Sequence, residues 1–230
     1  MSTIRENIEK VRGNIAEAAL RSGRNPSDIR LMAVTKTVDD DRIMEAIDCD
    51  VDIIGENYVQ EGKRKIEKMG KTVEWHMIGH LQSNKAKYAV RLFDMIHSVD
   101  RVGLAQELDK RSRNAGMKSK ILIEVNVSGE ETKSGVPKEQ AISLVKDIAT
   151  LENLSIRGVM TMPPWFDDPE DARPYFVALR ELRDRIVEED IEGVEMAELS
   201  MGMSGDYPVA VEEGATIVRI GRTIFGERSY

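Results

Sequence analysis

Eight short apolar segments, separated mostly by helix-like stretches, constrain the fold of this chain more than any other feature. The predicted strands cover residues 31–35, 51–54, 74–78, 95–98, 121–126, 156–160, 196–199 and 217–220. Short apolar strands that alternate with amphipathic helices are typical of βα units and a parallel sheet. Because an open doubly wound sheet usually has fewer strands, the pattern favours a closed (β/α)8 TIM-type barrel of the α/β class.

An extra helix is predicted before the first strand. Thr3 and Glu6 have the spacing of a capping box, and Gly23 with Pro26 is placed to end the helix. Its apolar residues at helical spacing are Ile4, Ile8, Val11, Ile15 and Ala19. Since no linker or low-complexity tract interrupts the 230 residues, we expect one domain over residues 1–230.

Composition excludes several classes of protein. The 33 basic and 41 acidic residues give a net charge of −8, which argues against general nucleic-acid binding. Cys49 is the only cysteine, so an internal disulfide cannot form and a reducing compartment is expected. The sequence shows no apolar signal core and no segment as long as a membrane span. We therefore expect a cytoplasmic protein that binds neither nucleic acid nor membrane. Because we expect no second domain, we also expect a monomer.

Lys36 directly follows the first predicted strand, at the face where barrels carry their active sites. Most loop lysines are solvated, and an ordinary lysine, with a pKa of about 10.4, is protonated at neutral pH. Desolvation and nearby positive charge at a barrel mouth would lower the pKa of the amine. A lysine of that kind forms a Schiff base with a carbonyl group. Both interpretations of Lys36 stay open at this point.

Two turns rich in small residues follow the last two strands. Residues 200–204 read Ser-Met-Gly-Met-Ser, and residues 221–223 read Gly-Arg-Thr. Hydroxyl and backbone N–H groups at strand-to-helix turns bind anions, and the phosphate site of a barrel commonly follows strands 7 and 8. Either turn alone is explained more simply by chain reversal. Together, opposite Lys36, they indicate a ligand that carries both a carbonyl and a phosphate.

Arg219 lies inside the apolar run of residues 217–220. An arginine that points into a barrel is costly unless it is paired or functional. It could form an ion pair with Glu198 or another carboxylate. It could instead donate to the ring nitrogen of a pyridine ligand, which would hold the ring neutral and weaken it as an electron sink.

His76 and His80 have the i, i+4 spacing of helical zinc ligands. The segment reads as a strand, however, where four residues span about 13 Å, too far for one metal ion. We expect His76 to be a hydrogen-bonded interior histidine and His80 to line the mouth.

The chain resembles the pyridoxal phosphate homeostasis protein family, which is distantly related to the barrel domain of bacterial alanine racemase. The resemblance covers almost the whole chain, and its motifs are highly specific when taken together. They lie at residues 33–36, 55–61, 76–85, 126–135, 158–162, 199–204 and 218–226.

This resemblance implies that pyridoxal 5'-phosphate (PLP) is the cofactor, held as a Schiff base on Lys36. It also implies PLP contacts for six more residues: Ser200, Ser204, Gly221 and Arg222 at the phosphate, Arg219 at the ring nitrogen, and Asn57 near the ring. Members of the family have no established catalytic activity and are thought to buffer PLP and deliver it to apo-enzymes that need it.

Two positions depart from the family pattern. Gly205 stands before Asp206 where paired aspartates are frequent, which would loosen the cap of the next helix. Arg222 stands where threonine is frequent, so a hydroxyl contact to the phosphate is lost. The backbone N–H or the guanidinium of Arg222 must replace that contact.

A PLP-dependent amino-acid racemase is the main alternative. Racemisation needs acid/base groups on both faces of the α-carbon, and Lys36 could supply one. In the racemases the second comes from an additional β-domain, which we do not expect in a chain that ends at Tyr230. Tyr58 could substitute for it. A cofactor-free Schiff-base aldolase is less favoured, because the sixth strand ends in Met160-Thr161 without an acid/base pair.

Overall fold

The computed structural model of the chain describes residues 3–130 and 132–226. Its strands are β1 (Arg30–Val34), β2 (Ile53–Glu56), β3 (Glu74–Met77), β4 (Met95–Val99), β5 (Ser119–Asn126), β6 (Val136–Pro137), β7 (Leu154–Met160), β8 (Glu198–Met203) and β9 (Ile217–Ile220). Its α-helices are α1 (Ile4–Arg21), α2 (Asp40–Ile47), α3 (Val59–Met69), α4 (Ala86–Leu92), α5 (Val102–Asn114), α6 (Ala141–Ala149), α7 (Arg173–Glu188), α8 (Tyr207–Glu212) and α9 (Arg222–Phe225). Within these residues, every helix is too short or too polar to cross a lipid bilayer.

Eight of the strands close into a parallel barrel with helices between them. The strand order is β4-β3-β2-β1-β9-β8-β7-β5, and the pairing of β4 with β5 completes the circle. Among the described residues, the short strand β6 pairs only with β5, and it was not predicted. The predicted TIM-type barrel with its additional N-terminal helix is thus confirmed.

Helix α1 begins at the predicted capping box. The N–H of Glu6 donates to the Thr3 hydroxyl over 3.2 Å, and the N–H of Thr3 donates to the Glu6 carboxylate over 2.8 Å. The apolar side of α1 is buried against α2, α8 and α9, and Asn14 donates to the Tyr207 hydroxyl over 2.7 Å. These contacts attach the first helix to the end of the barrel sequence.

Apolar side chains fill two separate regions. A large core lies between the strands and the surrounding helices. Two small clusters occupy the barrel interior, made of Met32, Ile53, Ile78 and Ile217 and of Met95, Leu122 and Met160. The barrel is therefore packed, and polar interior residues must find partners inside it.

Two predicted strands end two or more residues too early, and polar residues explain both errors. Strand β2 extends through Glu56, whose charge is paired in the interior, instead of covering residues 51–54. Strand β8 extends to Met203 instead of ending at residue 199, so Ser200 lies within the strand and not in a turn.

Gly202 of β8 has a φ of +90°, and a Cβ there would lie 2.5 Å from the Cβ of Ala210. Glycine at this position lets α8 pack on the strand.

Candidate functional site

Lys36 and Asn57 lie side by side at the carboxyl-terminal mouth of the barrel. Val34 of β1 is in register with Gly55 of β2, and each predicted site residue follows two positions later. Both side chains are half-buried. The parallel pairing of β1 and β2 therefore brings the lysine and the amide to the same part of the mouth.

Gly221 brings the turn after β9 close to the end of β1. The two strands are paired, with Ala33 opposite Ile220. A Cβ on Gly221 would lie 3.3 Å from the carbonyl oxygen of Val34, closer than an ordinary contact. A glycine at this point lets the predicted phosphate turn approach the loop that carries Lys36.

The turns after β8 and β9 are joined by a hydrogen bond. The backbone N–H of Thr223 donates to the Ser204 hydroxyl over 3.3 Å. Arg222 is exposed at the first position of α9, which has only four residues. A helix this short has little macrodipole, so an anion here would depend on individual N–H, hydroxyl and guanidinium groups.

Arg219 and Ser200 lie deeper than the other predicted site residues, inside the barrel. Arg219 is 4 % exposed, and its Nη1 donates to the Ser200 hydroxyl over 2.8 Å. Its Nη2 donates to the carbonyl oxygen of Thr161 over 2.8 Å. Within the described residues Arg219 forms no ion pair, and the alternative of a pair with Glu198 is wrong. Glu198 instead accepts a hydrogen bond from Thr216 near the opposite end of the barrel.

Burial also sets the electrostatics of Arg219. It lowers the pKa of the guanidinium to about 10, while the charges of Asp206 and Glu124 oppose this shift. The group is therefore protonated at neutral pH. Two of its five N–H donors have acceptors among the described residues, and both acceptors are neutral oxygens. Such an arginine is suited to donate to another neutral acceptor.

Glu124 of β5 is an interior carboxyl that the sequence analysis missed. It is 2 % exposed, and its Oε2 has no hydrogen-bond partner among the described residues. Burial raises the pKa of Glu124 to about 7, with a smaller contribution from Asp100, and Arg219 opposes the shift. Its signal in the sequence is the same as that of Arg219, a charged residue within an apolar strand.

A buried lysine, Lys65 of α3, was also missed. Its Nζ donates to the carbonyl oxygen of Thr35 over 2.6 Å, to Glu56 over 2.6 Å and to Glu61 over 2.7 Å. Desolvation raises the pKa of Glu56, although Lys65 and the Thr35 hydroxyl counteract it. The i, i+4 spacing of Glu61 and Lys65 was the only local sign of this cluster.

The same cluster fixes the turn that contains Lys36. The residue after Lys36 is Thr37, which has a φ of +62°, a conformation that is uncommon for a threonine. The N–H of Thr37 donates to Glu61 over 2.8 Å, and Glu61 is in turn held by Lys65. The turn is therefore anchored to α3 on the side next to Lys36.

The two histidines with zinc-like spacing occupy different environments. The ring of His76 is fully buried, and its Nδ1 lies 2.9 Å from Nε2 of His97. The Nδ1 atom of His97 lies 3.0 Å from the Ser200 hydroxyl. No feature of the sequence singled out His97. His80 is exposed. The interior position expected for His76 is thus confirmed.

The chain matches known proteins over nearly its whole length. The family model described as "Alanine racemase, N-terminal domain" matches residues 4–229. A pyridoxal phosphate homeostasis protein from Aquifex aeolicus is 46% identical over 226 residues, which cover 98% of each chain.

Solved structures agree with this match. PipY of Synechococcus elongatus, in a structure with PLP bound, is 32% identical with a TM-score of 0.83, covering 97% of this chain and 100% of PipY. Alanine racemase of Clostridium difficile shares the fold at 16% identity, with a TM-score of 0.72 over 99% of this chain and 57% of the racemase. The chain therefore belongs to the family of pyridoxal phosphate homeostasis proteins, whose barrel is related to the N-terminal domain of alanine racemase.

Proposed function

We propose that this protein binds PLP as a Schiff base on Lys36 and serves in cofactor homeostasis by holding and releasing it, without catalysing an amino-acid reaction. The observation that carries the proposal is the placement of Lys36 next to the Gly221 turn in a chain whose relative PipY has PLP bound. The bound cofactor supplies an aldehyde that condenses with an amine and a pyridine ring that can withdraw electrons.

The donors at the mouth fit a phosphorylated pyridine. Ser204, Gly221 and Arg222 would hold the phosphate through a hydroxyl, backbone N–H groups and a guanidinium. Arg219 would donate to the ring nitrogen. Two of its five N–H groups donate to neutral oxygens, and the guanidinium has further N–H groups that can donate. Asn57, beside Lys36, would contact the ring. We leave the Ser200 hydroxyl, which was predicted to contact the phosphate, out of the proposed phosphate contacts, because it already bonds to Arg219 and His97.

The arginine also supports a role without catalysis. A guanidinium that donates to the ring nitrogen keeps that nitrogen unprotonated, so the ring withdraws electrons weakly. Removal of an α-proton from an amino acid is favoured by a protonated ring nitrogen, which stabilises the resulting carbanion more strongly. The Tyr58 side chain, 61% exposed after β2, is the available alternative for a second acid/base group.

Hydrogen exchange at the α-carbon distinguishes the carrier from a racemase. The PLP-loaded protein is incubated with L-alanine in D2O, and α-deuteration is followed by NMR. We expect no exchange above that of free PLP at the same concentration. Exchange that depends on the protein and is lost in Tyr58→Phe would show a racemase-type activity and overturn the proposal.

Transfer of the cofactor tests delivery to apo-enzymes, the proposed recipients. The loaded protein is mixed with the apo-form of a PLP-dependent enzyme, and recovery of that enzyme's activity is followed over time. We expect recovery to the level reached with an equal amount of free PLP. Lys36→Ala protein, treated identically and freed of unbound PLP, is the control and should restore no activity. Failure of the loaded wild-type protein to restore activity would contradict the delivery role.

A further inference from the structure

A continuous row of hydrogen-bonded side chains crosses the barrel interior to Arg219. It starts at Glu74, whose Oε2 lies 3.0 Å from Nε2 of His76. The His76 Nδ1 lies 2.9 Å from Nε2 of His97, and the His97 Nδ1 lies 3.0 Å from the Ser200 hydroxyl. Arg219 donates to the same hydroxyl over 2.8 Å. Since β4 and β8 are not neighbours in the barrel, the contact between His97 and Ser200 spans the lumen.

The two ends of this row fix the direction of every hydrogen bond in it. A guanidinium can only donate, so Ser200 accepts from Arg219 and keeps its proton available for Nδ1 of His97. A carboxylate can only accept, so Glu74 requires a proton on Nε2 of a neutral His76, whose Nδ1 must then accept from Nε2 of His97. A neutral His97 that accepts at Nδ1 carries its proton at Nε2 and donates it to Nδ1 of His76. His76 then carries its proton at Nε2 and donates it to the Glu74 carboxylate. No other arrangement of neutral rings satisfies all four contacts.

Charge and burial support neutral rings. Desolvation lowers the pKa of both His76 and His97, and the two rings are fully buried. The hydrogen bond from His76 is the largest cause that lowers the pKa of Glu74 to about 2, so this end remains a carboxylate. The charged groups that face the two rings are Glu74, Asp94, Arg30 and Arg219.

We propose that Glu74, His76, His97 and Ser200 form a one-directional hydrogen-bond chain that positions Arg219 for its contact to the ring nitrogen. His97 and Ser200 are then positioning residues, and the Ser200 hydroxyl serves the arginine and not the phosphate. The chain begins at the amino-terminal end of β3, where the Glu74 side chain is 46% exposed and pairs with Arg30. The contact to the ring nitrogen rests on the proposed function, whereas the direction of the chain does not.

The protonation of the ring nitrogens tests the direction without any cofactor. The protein has three histidines, so ¹⁵N-detected imidazole spectra are simple, and His80→Gln assigns the exposed ring by its absence. We expect both interior rings to carry a proton at Nε2, to lack one at Nδ1, and to remain so from about pH 6 to about pH 8. A proton on Nδ1 of either interior ring, or titration of either ring in this range, would overturn the chain.

Two serine variants test the effect on Arg219. Ser200→Ala removes the link, and Ser98→Ala is the matched control, since Ser98 of β4 is also fully buried but its hydroxyl has no partner among the described residues. We expect Ser200→Ala to shift the visible absorption of the loaded protein and to speed PLP loss about tenfold. Ser98→Ala should change neither.

Indistinguishable behaviour of the two variants would overturn the positioning role. The ¹⁵N spectra of the histidines distinguish failure of the positioning role from failure of the proposed function. If the wild-type protein takes up no PLP, the proposed function fails, and the histidine spectra still decide whether the chain exists.

Discussion

At the scale of single residues, Lys36 and Arg219 have contrasting environments. Lys36 is half-buried at the mouth, outside the apolar core, so that a change there affects binding more than folding. Arg219 is buried and donates hydrogen bonds to Ser200 and Thr161, so that a change there affects both binding and folding. Substitutions at the two positions should therefore separate covalent attachment from orientation of the ring.

Replacing Lys36 by alanine should abolish covalent PLP while the fold remains. The side chain lies outside the apolar core, so we expect the free energy of unfolding to change by about 1 kcal/mol or less. Visible absorbance after loading and gel filtration measures attachment, and thermal melting measures stability. Lys85→Ala, at another half-buried lysine, which directly precedes α4, should retain the cofactor. Unchanged absorbance in Lys36→Ala, or a collapse of its melting temperature, would show that the assignment is wrong.

Replacing Arg219 by lysine should weaken PLP binding and alter its spectrum. A glutamate here would add a third carboxylate beside Glu124 and Asp206, so lysine is the sharper variant. Lysine keeps the positive charge but loses the planar fork that reaches Ser200 and Thr161 together. Equilibrium loading followed by absorbance measures the effect. Affinity and spectrum equal to those of the wild type would count against a contact to the ring nitrogen.

At the scale of elements, local pattern predicted all eight barrel strands, because each is a short apolar run between helical stretches. The errors lie where polar residues continue a strand. Glu56, Ser200 and Gly202 lie beyond the ends of the predicted strands, yet the structure includes them in β2 and β8. The partners of Glu56 and Ser200 lie on α3, β4 and β9. A contact between segments that are distant in the chain leaves no mark on the local sequence.

The ion pair between Lys65 and Glu56 joins α3 to β2 below the Lys36 turn. Lys65→Met would leave the Glu56 carboxylate buried without its cation, so we expect a loss of about 3–5 kcal/mol in the free energy of unfolding. Urea denaturation measures the loss. Lys63→Met is the matched control on the same helix, because Lys63 pairs with Glu67 at the surface. That change should cost less than about 1 kcal/mol. Equal costs for the two variants would refute the importance of the buried pair.

At the scale of the whole molecule, closure of the barrel creates contacts between interior side chains that the sequence did not predict. Alternation of strands and helices is a local signal and predicted the architecture. The interior chain instead joins residues 76, 97, 200 and 219, which approach one another only when the barrel is complete. The mouth position of Lys36 and the interior positions of Arg219 and His76 could be predicted residue by residue, whereas the contacts that join Arg219 and His76 through His97 and Ser200 could not.

Stability of the whole barrel should depend on pH through Glu124. Its pKa is about 7 in the folded protein against an ordinary value of 4.5, so the folded state favours the neutral acid. The stabilisation is complete below about pH 4.5 and is lost as the pH rises through about 7, by roughly 3 kcal/mol. Glu124→Gln should remove this part of the pH dependence. Urea denaturation at several pH values measures it, and parallel curves for the two proteins would contradict the assignment.

The most direct test of the central claim is to load the purified protein with PLP, reduce it with borohydride and map the modified peptide. Reduction fixes a Schiff base as a stable amine, so the attached lysine keeps the added mass through digestion. We predict a yellow protein that carries one pyridoxyl group, on the peptide containing Lys36. A colourless protein that cannot be loaded, or a pyridoxyl group on another lysine only, would contradict the proposal that this barrel holds PLP on Lys36.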